Sequence, residues 1–83
     1  MKTIILYTSE RCHYCDDVNT FLDAFFLKRK NPFTITKKDI GTRKNRDELT
    51  ERMGGQLGVP AMIADKKLLI GSDVIIDWFK RNT

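Results

Sequence analysis

The two cysteines of the sequence are spaced in a way that suits dithiol chemistry. Cys12 and Cys15 are separated by two residues and follow the apolar run of residues 4–7, which predicts a strand that leads into a helix. The first cysteine would then meet the unbonded N–H groups and the positive end of that helix, which favour a thiolate over a thiol. One helical turn brings the second sulfur within the Cα separation that a disulfide spans. We therefore expect Cys12 to be the nucleophile and Cys15 the resolving thiol.

Three other interpretations of the cysteine pair remain open at this point. A closed zinc site normally needs four ligands, whereas the chain offers two cysteines and one histidine, His13, between them, so we expect no metal. A structural disulfide that closes so short a loop would remove little chain entropy. Two unrelated buried cysteines would coincide with a strand-to-helix junction only by chance. Redox chemistry is therefore the interpretation that we favour.

Hydrophobic periodicity predicts the elements that must position these cysteines. In order, we expect a central strand over residues 2–8, an amphipathic helix over 13–29, a one-sided strand over 33–38, a helix from residue 42 or 45 to the glycines at 54–55, short strands over 61–64 and 67–70, and a last helix. Asp65 and Lys66 are expected to form the turn between the two short strands. The first unit must be parallel and right-handed, and the closing pair can be an antiparallel hairpin. These rules predict an α/β fold of order β-α-β-α-β-β-α, with a four-stranded mixed sheet and helices on both faces. A Cys-x-x-Cys pair beside the first strand–helix–strand unit indicates that this fold is thioredoxin-like.

The helix ends and faces carry more specific expectations. Thr42 or Asn45 is expected to cap the second helix, with Glu48 completing a capping box, and Ser72 or Asp73 is expected to cap the last helix. The face of the last helix that is expected to be buried carries Val74, Ile75, Trp78 and Phe79. The buried face of the first helix is expected to carry Cys15, Val18, Phe21, Leu22 and Phe25.

Length and composition limit the classes of protein that the chain fits. Its 83 residues suit one domain over residues 1–83, with a modest core. The net charge is +4, and the basic runs lack the interleaved aromatic residues of a nucleic-acid-binding motif, so we expect no nucleic-acid partner. The first apolar run is too short for a signal peptide or a membrane span. We therefore expect a cytoplasmic protein without a membrane partner, where a cysteine pair is more often catalytic than structural.

Three segments, in the right order, resemble the glutaredoxins over essentially the whole chain. They are Tyr-Thr-Ser-Glu-Arg-Cys-His-Tyr-Cys at 7–15, Gly-Gln-Leu-Gly-Val-Pro at 55–60 and Ile-Gly-Ser-Asp at 70–73. The resemblance implies a cis bond between Val59 and Pro60 beside the active cysteines, and a Val59 backbone that pairs with the cysteinyl part of glutathione. It also implies that Ser72 and Asp73 receive the γ-glutamyl end of glutathione. That role fits the chemistry, because helix N–H groups bind carboxylates and an aspartate accepts from an ammonium.

Three positions depart from the glutaredoxin pattern. His13 stands where these proteins typically have proline; it either stabilises the Cys12 thiolate when protonated or points into solvent. Ser9 and Asp47 stand where many relatives have a lysine and a cationic or amide residue that bind the glycyl carboxylate of glutathione. That role would then have to fall to Arg11, Arg43 or Arg46.

The resemblance implies a glutaredoxin-like thiol-disulfide oxidoreductase that reduces protein disulfides or glutathione mixed disulfides through Cys12 and Cys15. Tyr14 is expected to shape the rim of the site, Arg11 to help to bind substrate, and Pro60, which lacks an N–H, to leave the approach to the sulfurs open. Glutathione is the expected co-substrate, no cofactor is expected to stay bound, and the protein is expected to be a monomer. Its expected partners are glutathione, thioredoxin reductase or both, and proteins that bear disulfides.

Three alternatives to a glutaredoxin-like enzyme stay open. One is a redoxin that is reduced by thioredoxin reductase and supplies electrons to ribonucleotide reductase. Another is an iron–sulfur carrier in which two protomers each supply Cys12. The third is a binding module whose basic surface engages an acidic partner while the thiols are silent.

Overall fold

The sequence folds into the predicted order of strands and helices. A computed structural model describes residues 2–83. The elements are β1 (Lys2–Thr8), α1 (His13–Phe25), β2 (Phe33–Asp39), α2 (Arg43–Arg52), β3 (Ala61–Ala64), β4 (Lys67–Ile70) and α3 (Ser72–Arg81). The sheet has the order β2-β1-β3-β4. β1 runs parallel to β2 and antiparallel to β3, and β3 pairs with β4 in a hairpin. The thioredoxin-like fold with a mixed four-stranded sheet is therefore confirmed.

Alternation along β1 divides the core between the two faces of the sheet. Ile4 and Leu6 point to the face that is covered by α1 and α3, whereas Tyr7 points to the face that is covered by α2. The first face holds a cluster of nine buried residues, namely Ile4, Leu6, Val18, Leu22, Phe33, Met62, Ala64, Ile75 and Phe79. The second cluster has three buried members, Tyr7, Leu49 and Ala61. Helices thus lie on both faces, as predicted.

α1 ends at Phe25 and not near residue 29 as predicted. Phe26 leaves the helix because its ring packs into the first cluster and meets the Phe79 ring edge to face, with 6.0 Å between centroids. The Arg29 guanidinium lies 4.2 Å above the Phe25 ring centroid. Tertiary packing of aromatic side chains therefore outweighs the helical periodicity of the sequence at this end.

The predicted capping of α2 is partly wrong. Thr42 is the residue before the helix, but its side chain makes no capping hydrogen bond. Asn45 lies inside the helix, where its side-chain amide donates to the Asp39 carbonyl at 3.0 Å, so the expected capping box with Glu48 does not form. The predicted end at Gly54 and Gly55 is confirmed, since both have positive φ angles just after the last turn.

Glu48 instead joins a polar network that holds α2 against the sheet. Its carboxylate accepts from the Lys38 ammonium at 2.9 Å and from the Tyr7 hydroxyl at 3.4 Å. The hydrogen bond from Lys38 is the main reason that the pKa of Glu48 is lowered, and the same bond raises the pKa of Lys38. The network joins side chains from β1, β2 and α2.

The predicted turn between β3 and β4 is confirmed. Asp65 and Lys66 form a two-residue connection in which both φ angles are positive, at 52° and 65°. This is the geometry that suits the right-handed twist of a hairpin. The Lys2 ammonium binds the Asp65 carboxylate at 3.1 Å and links this turn to the first strand.

The helices of residues 2–83 include none with the length and apolar character that a membrane crossing requires.

Candidate active site

Cys12 lies in the connection between β1 and α1 and serves as the N-cap of the helix. Its backbone is extended, and its sulfur accepts the Cys15 N–H at 3.0 Å. Its carbonyl accepts the Asp16 N–H at 3.1 Å. The sulfur thus takes the place that a serine or aspartate oxygen usually has at a helix start, at the positive end of the helix dipole.

The two cysteines form a disulfide, with 5.1 Å between their Cα atoms. Cys15 is 1% exposed and begins the apolar face of α1 that includes Val18 and Leu22. Cys12 is half-buried. Cys15 is therefore buried, as predicted for this face of α1, and Cys12 is the more exposed of the two cysteines. Their roles as nucleophile and resolving thiol stay predictions.

The loop before β3 lies against Cys12. The Val59–Pro60 bond is cis, as predicted, and the Val59 carbonyl oxygen lies 3.8 Å from the Cys12 sulfur. Pro60 is buried, and its carbonyl accepts the Gly71 N–H at 2.9 Å. This hydrogen bond therefore connects Gly71, the residue before α3, to the loop that lies against Cys12.

Ser72 and Asp73 do not cap α3 as predicted. The N-cap is Gly71, which has a φ of 101° that an L-residue rarely adopts. Ser72 and Asp73 fall in the first helical turn, where Ser72 is 8% exposed and Asp73 is exposed. Because Gly71 has no side chain, no side chain caps the first N–H groups of α3.

Arg11, Arg43 and Arg46, the candidate residues for binding the glycyl carboxylate, are all exposed. Arg11 is exposed and lines a surface groove together with Ser9, Glu10, Asp39, Gly41 and Thr42. Arg43, which begins α2, has its Nε 3.8 Å from the Asp47 carboxylate, and both side chains are largely exposed. Among residues 2–83, no side-chain hydrogen bond or ion pair joins Arg11, Arg43 or Arg46 to the cysteines.

His13 is directed along the helix and not toward Cys12. Its Nε2 lies 3.8 Å from the Asp17 carboxylate, and its side chain is 83% exposed. The Tyr14 ring meets the imidazole edge to face, with 5.7 Å between centroids. The structure therefore favours the interpretation in which His13 points into solvent.

Four exposed apolar side chains belong to the cysteine segment, to the segment with Val59 and Pro60, or to the neighbouring β4 and α3, and only Tyr14 among them was expected to shape the site. Tyr14, Leu57, Ile70 and Val74 are 61%, 43%, 47% and 49% exposed. Tyr14 follows Cys12 by two residues, Leu57 precedes Val59 by two, and Ile70 pairs with Ala61, next to Pro60. Val74, which was expected to be buried, lies in the first turn of α3. We call these four side chains the apolar rim.

The described part of the chain has no group of three or more His, Cys, Asp or Glu side chains that is placed to hold a metal ion.

Comparisons with known proteins agree with this architecture. Residues 3–79 match the family model of the glutaredoxin-like domain (DUF836). A threonine-to-alanine mutant of the thioredoxin-like protein BC3987 superposes with a TM-score of 0.69 at 19% identity, over 94% of this chain and 95% of that one. Glutaredoxin from Brucella melitensis superposes with a TM-score of 0.60 at 21% identity, over 99% of this chain and 83% of that one. A structure described as a malarial protein gives a TM-score of 0.59 at 16% identity, over 98% and 96% of the two chains.

These structural neighbours establish the fold, and the match of the family model establishes the family. The sequence matches no curated protein at a significant level. The family model spans nearly the whole chain, including both cysteines and the Val59–Pro60 pair. The protein is therefore a member of the glutaredoxin-like domain family.

Proposed function

We propose that the protein is a thiol-disulfide oxidoreductase that reduces disulfides in protein substrates. The observation that carries this proposal is the position of Cys12, whose sulfur caps α1, accepts the Cys15 N–H at 3.0 Å and lies 3.8 Å from the Val59 carbonyl oxygen. In the reduced protein, the same N–H group and the helix dipole stabilise a negative charge on that sulfur. A half-buried sulfur at a helix start is the arrangement that nucleophilic thiol chemistry needs.

The reaction follows two exchange steps. The Cys12 thiolate attacks one sulfur of a substrate disulfide, forms a mixed disulfide and releases the other substrate sulfur as a thiolate, which takes a proton from water. The Cys15 thiol then loses its proton and attacks the Cys12 sulfur. This second step releases the remaining substrate sulfur as a thiol and forms the Cys12–Cys15 disulfide. Two electrons pass from the protein to the substrate, and an external thiol reductant restores the dithiol.

The apolar rim favours a protein substrate over a small peptide such as glutathione. Tyr14, Leu57, Ile70 and Val74 offer apolar surface that an extended protein segment would bury. The positions that would bind the glycyl carboxylate of glutathione are occupied by Ser9 and Asp47, and the Asp47 carboxylate lies beside Arg43. A missing charge-assisted hydrogen bond weakens binding by roughly tenfold or more.

The test is a coupled assay that follows NADPH consumption. The oxidised protein is offered either glutathione with glutathione reductase or thioredoxin reductase, with insulin as a protein disulfide and hydroxyethyl disulfide as a small one. Cys12→Ser should abolish turnover with every combination, whereas Cys15→Ser should retain only a glutathione-linked route. Full turnover by Cys12→Ser would contradict the proposal.

Substitution of the rim separates protein substrates from small ones. Leu57→Ser combined with Val74→Ser should raise the KM for insulin and leave the KM for hydroxyethyl disulfide unchanged. Thr20→Ser combined with Thr36→Ser is the matched control, since both side chains are exposed and lie outside the apolar rim. Equal effects of the rim and control variants on insulin reduction would contradict the preference for protein substrates.

A separate pair of substitutions tests whether glutathione binds at the subsite that contains Ser9 and Asp47. Ser9→Lys combined with Asp47→Gln should supply the missing cation and free Arg43, and so lower the KM for a glutathionylated peptide by about tenfold on a Cys15→Ser background. The same variant should leave insulin reduction by the dithiol protein unchanged. An unchanged KM for the glutathionylated peptide would mean that the protein does not bind glutathione at the expected subsite.

A further inference from the structure

An open groove of about 430 Å³ lies at the end of α1 that is remote from the disulfide. It is lined by Phe21, Ala24, Phe25, Leu27, Lys28 and Arg29. The 13 residues of α1 span about 20 Å, so a molecule in this groove leaves the Cys12 sulfur free. We call it the basic aromatic groove, and the thiol chemistry proposed above does not use it.

Two stacked rings form a wall of the groove, and a cation lies over each of them. The Phe21 and Phe25 rings are stacked, with 4.9 Å between centroids. The Arg29 guanidinium lies 4.2 Å above Phe25, and the Lys80 ammonium from α3 lies 5.8 Å from the Phe21 centroid. These distances suit cation–π contacts. A guanidinium that is held by its face keeps its N–H edge available for a carboxylate.

The positive charge around the groove is not neutralised by the described part of the chain. Within residues 2–83, no carboxylate forms an ion pair with Lys28, Arg29, Lys30 or Lys80. On α3, the Asp77 carboxylate is already bound to Arg81 at 2.9 Å. On α1, Asp23 lines a neighbouring groove beside Lys37. Lys28 and Arg29 line the groove and Lys80 lies over one of its rings, so three cations without an ion pair border an apolar concavity.

Leu27 adds exposed apolar surface at the edge of the same groove. Its 78% exposure is larger than that of any other exposed large hydrophobic side chain among the described residues. We propose that the basic aromatic groove docks an acidic segment of a partner protein, with one apolar side chain in the groove and flanking carboxylates on Arg29, Lys28 and Lys80. A concave wall with a pre-oriented guanidinium suits a peptide side chain with carboxylates beside it. It suits less well a membrane surface, which needs apolar groups that project.

The test uses the oxidised full chain, so that thiol exchange cannot contribute, and three synthetic peptides. The probe is acetyl-EEDLFEED-amide, the second peptide has serines in place of its two apolar residues, and the third has lysines in place of its acidic residues. Two-dimensional NMR should show amide shifts at Phe21, Phe25, Leu27 and Lys80 with the probe. We expect each of the other two peptides to bind at least about tenfold more weakly.

Charge reversal locates the docking surface. Lys28→Glu combined with Arg29→Glu should weaken probe binding by about tenfold or more. Lys66→Glu combined with Lys67→Glu, which changes the net charge equally at the β3–β4 turn, should change it less than twofold. Arg29→Lys should give an intermediate loss, because the ammonium keeps the charge without the planar fork.

Three outcomes would overturn the proposal. The first is an equal loss of probe binding in the two charge-reversal variants, which would indicate that the probe is attracted only by the net charge of the protein. The second is a set of NMR shifts that lies at the disulfide. The third is binding to phosphatidylglycerol vesicles through Lys28 and Arg29 without binding to the probe, which would assign the groove to a membrane surface. Because every readout uses the oxidised protein, a failure here leaves the proposed oxidoreductase activity unaffected.

Discussion

The two faces of the sheet are stabilised by different means. The face under α1 and α3 has nine buried apolar residues and a series of aromatic contacts from Phe26 through Phe79 to Phe33 and Trp78. The face under α2 has three buried residues and the polar network of Tyr7, Lys38 and Glu48. Only Leu49 is buried on α2. The helix that carries the disulfide is therefore the one that is anchored by the larger core.

This difference in anchoring bears on the nucleophilic role that we propose for Cys12. A nucleophile must be held in a fixed geometry, and the Cys15, Val18 and Leu22 side chains fix the start and middle of α1 against the sheet. α2 has no comparable anchor, although it packs near Ile5, Val59 and Ile63 through the second cluster. We therefore expect substitutions on the two faces to differ in how much they lower the free energy of unfolding and in how many residues lose protection.

The largest expected effect comes from the same substitution made on both faces. Leu22→Ala should lower the free energy of unfolding by about 3 to 5 kcal/mol, because the surrounding cluster is too well packed to close the cavity. Leu49→Ala should lower it by about 2 to 3 kcal/mol, because α2 can shift into the space. Urea unfolding measures both. Leu22→Met and Leu49→Met keep the volume and should each cost less than about 1.5 kcal/mol. A larger loss for Leu49→Ala than for Leu22→Ala would reverse the comparison.

Hydrogen exchange should show the same difference without any substitution. The amides of α2 should exchange through local opening, with protection factors at least about tenfold below those of α1 residues 18–22. Glu48→Gln should lower the protection of α2 further and leave α1 unchanged. Equal protection of the two helices in the wild-type protein would show that the polar network anchors α2 as firmly as the apolar cluster anchors α1.

A smaller effect, the contribution of the Glu48–Lys38 ion pair to stability, should depend on pH. Because the pKa of Glu48 is lowered in the folded protein, its contribution to stability is present at neutral pH and is lost as the pH falls through the folded pKa. Because the pKa of Lys38 is raised, its contribution is present below its unfolded pKa and is lost as the pH rises through the folded value. The Tm difference between wild type and Glu48→Gln should therefore be largest between about pH 5 and about pH 10.

A matched carboxylate on α2 provides the control for that measurement. Glu51 is exposed and forms no ion pair among the described residues, so Glu51→Gln should change the Tm little at any pH. A constant Tm difference for Glu48→Gln from pH 3 to pH 8 would show that its ion pair with Lys38 does not stabilise the fold.

The sequence predicts the order of elements because each has its own local pattern. The apolar run before Cys12, the glycines after α2 and the Asp65–Lys66 turn are all read from neighbouring residues. The misplaced end of α1 depends on a contact between Phe26 and Phe79, which are far apart in the chain. Thr42 takes the predicted N-cap position of α2 but makes no side-chain hydrogen bond, and Gly71, not Ser72 or Asp73, is the N-cap of α3.

The candidate site likewise combines features that short sequence motifs predict with features that depend on contacts between distant segments. The Cys-x-x-Cys pair and the Val59–Pro60 bond belong to short motifs, and the structure brings them together. The apolar rim includes Leu57 and Ile70, which lie in separate segments that no local sequence pattern links. The bond between Glu48 and Lys38 likewise joins two elements. Contacts between distant segments that the family resemblance does not imply were therefore not predictable from one sequence.

The central claim is that the α1 terminus makes Cys12 the nucleophile, and alkylation of the reduced protein tests it most directly. The protein is treated with iodoacetamide at pH 6 for increasing times, and the labelled peptides are identified by mass spectrometry. We expect Cys12 to be labelled first and faster than free cysteine under the same conditions, and Cys15 to be labelled only after unfolding. Earlier labelling of Cys15, or labelling of Cys12 no faster than free cysteine, would contradict the account.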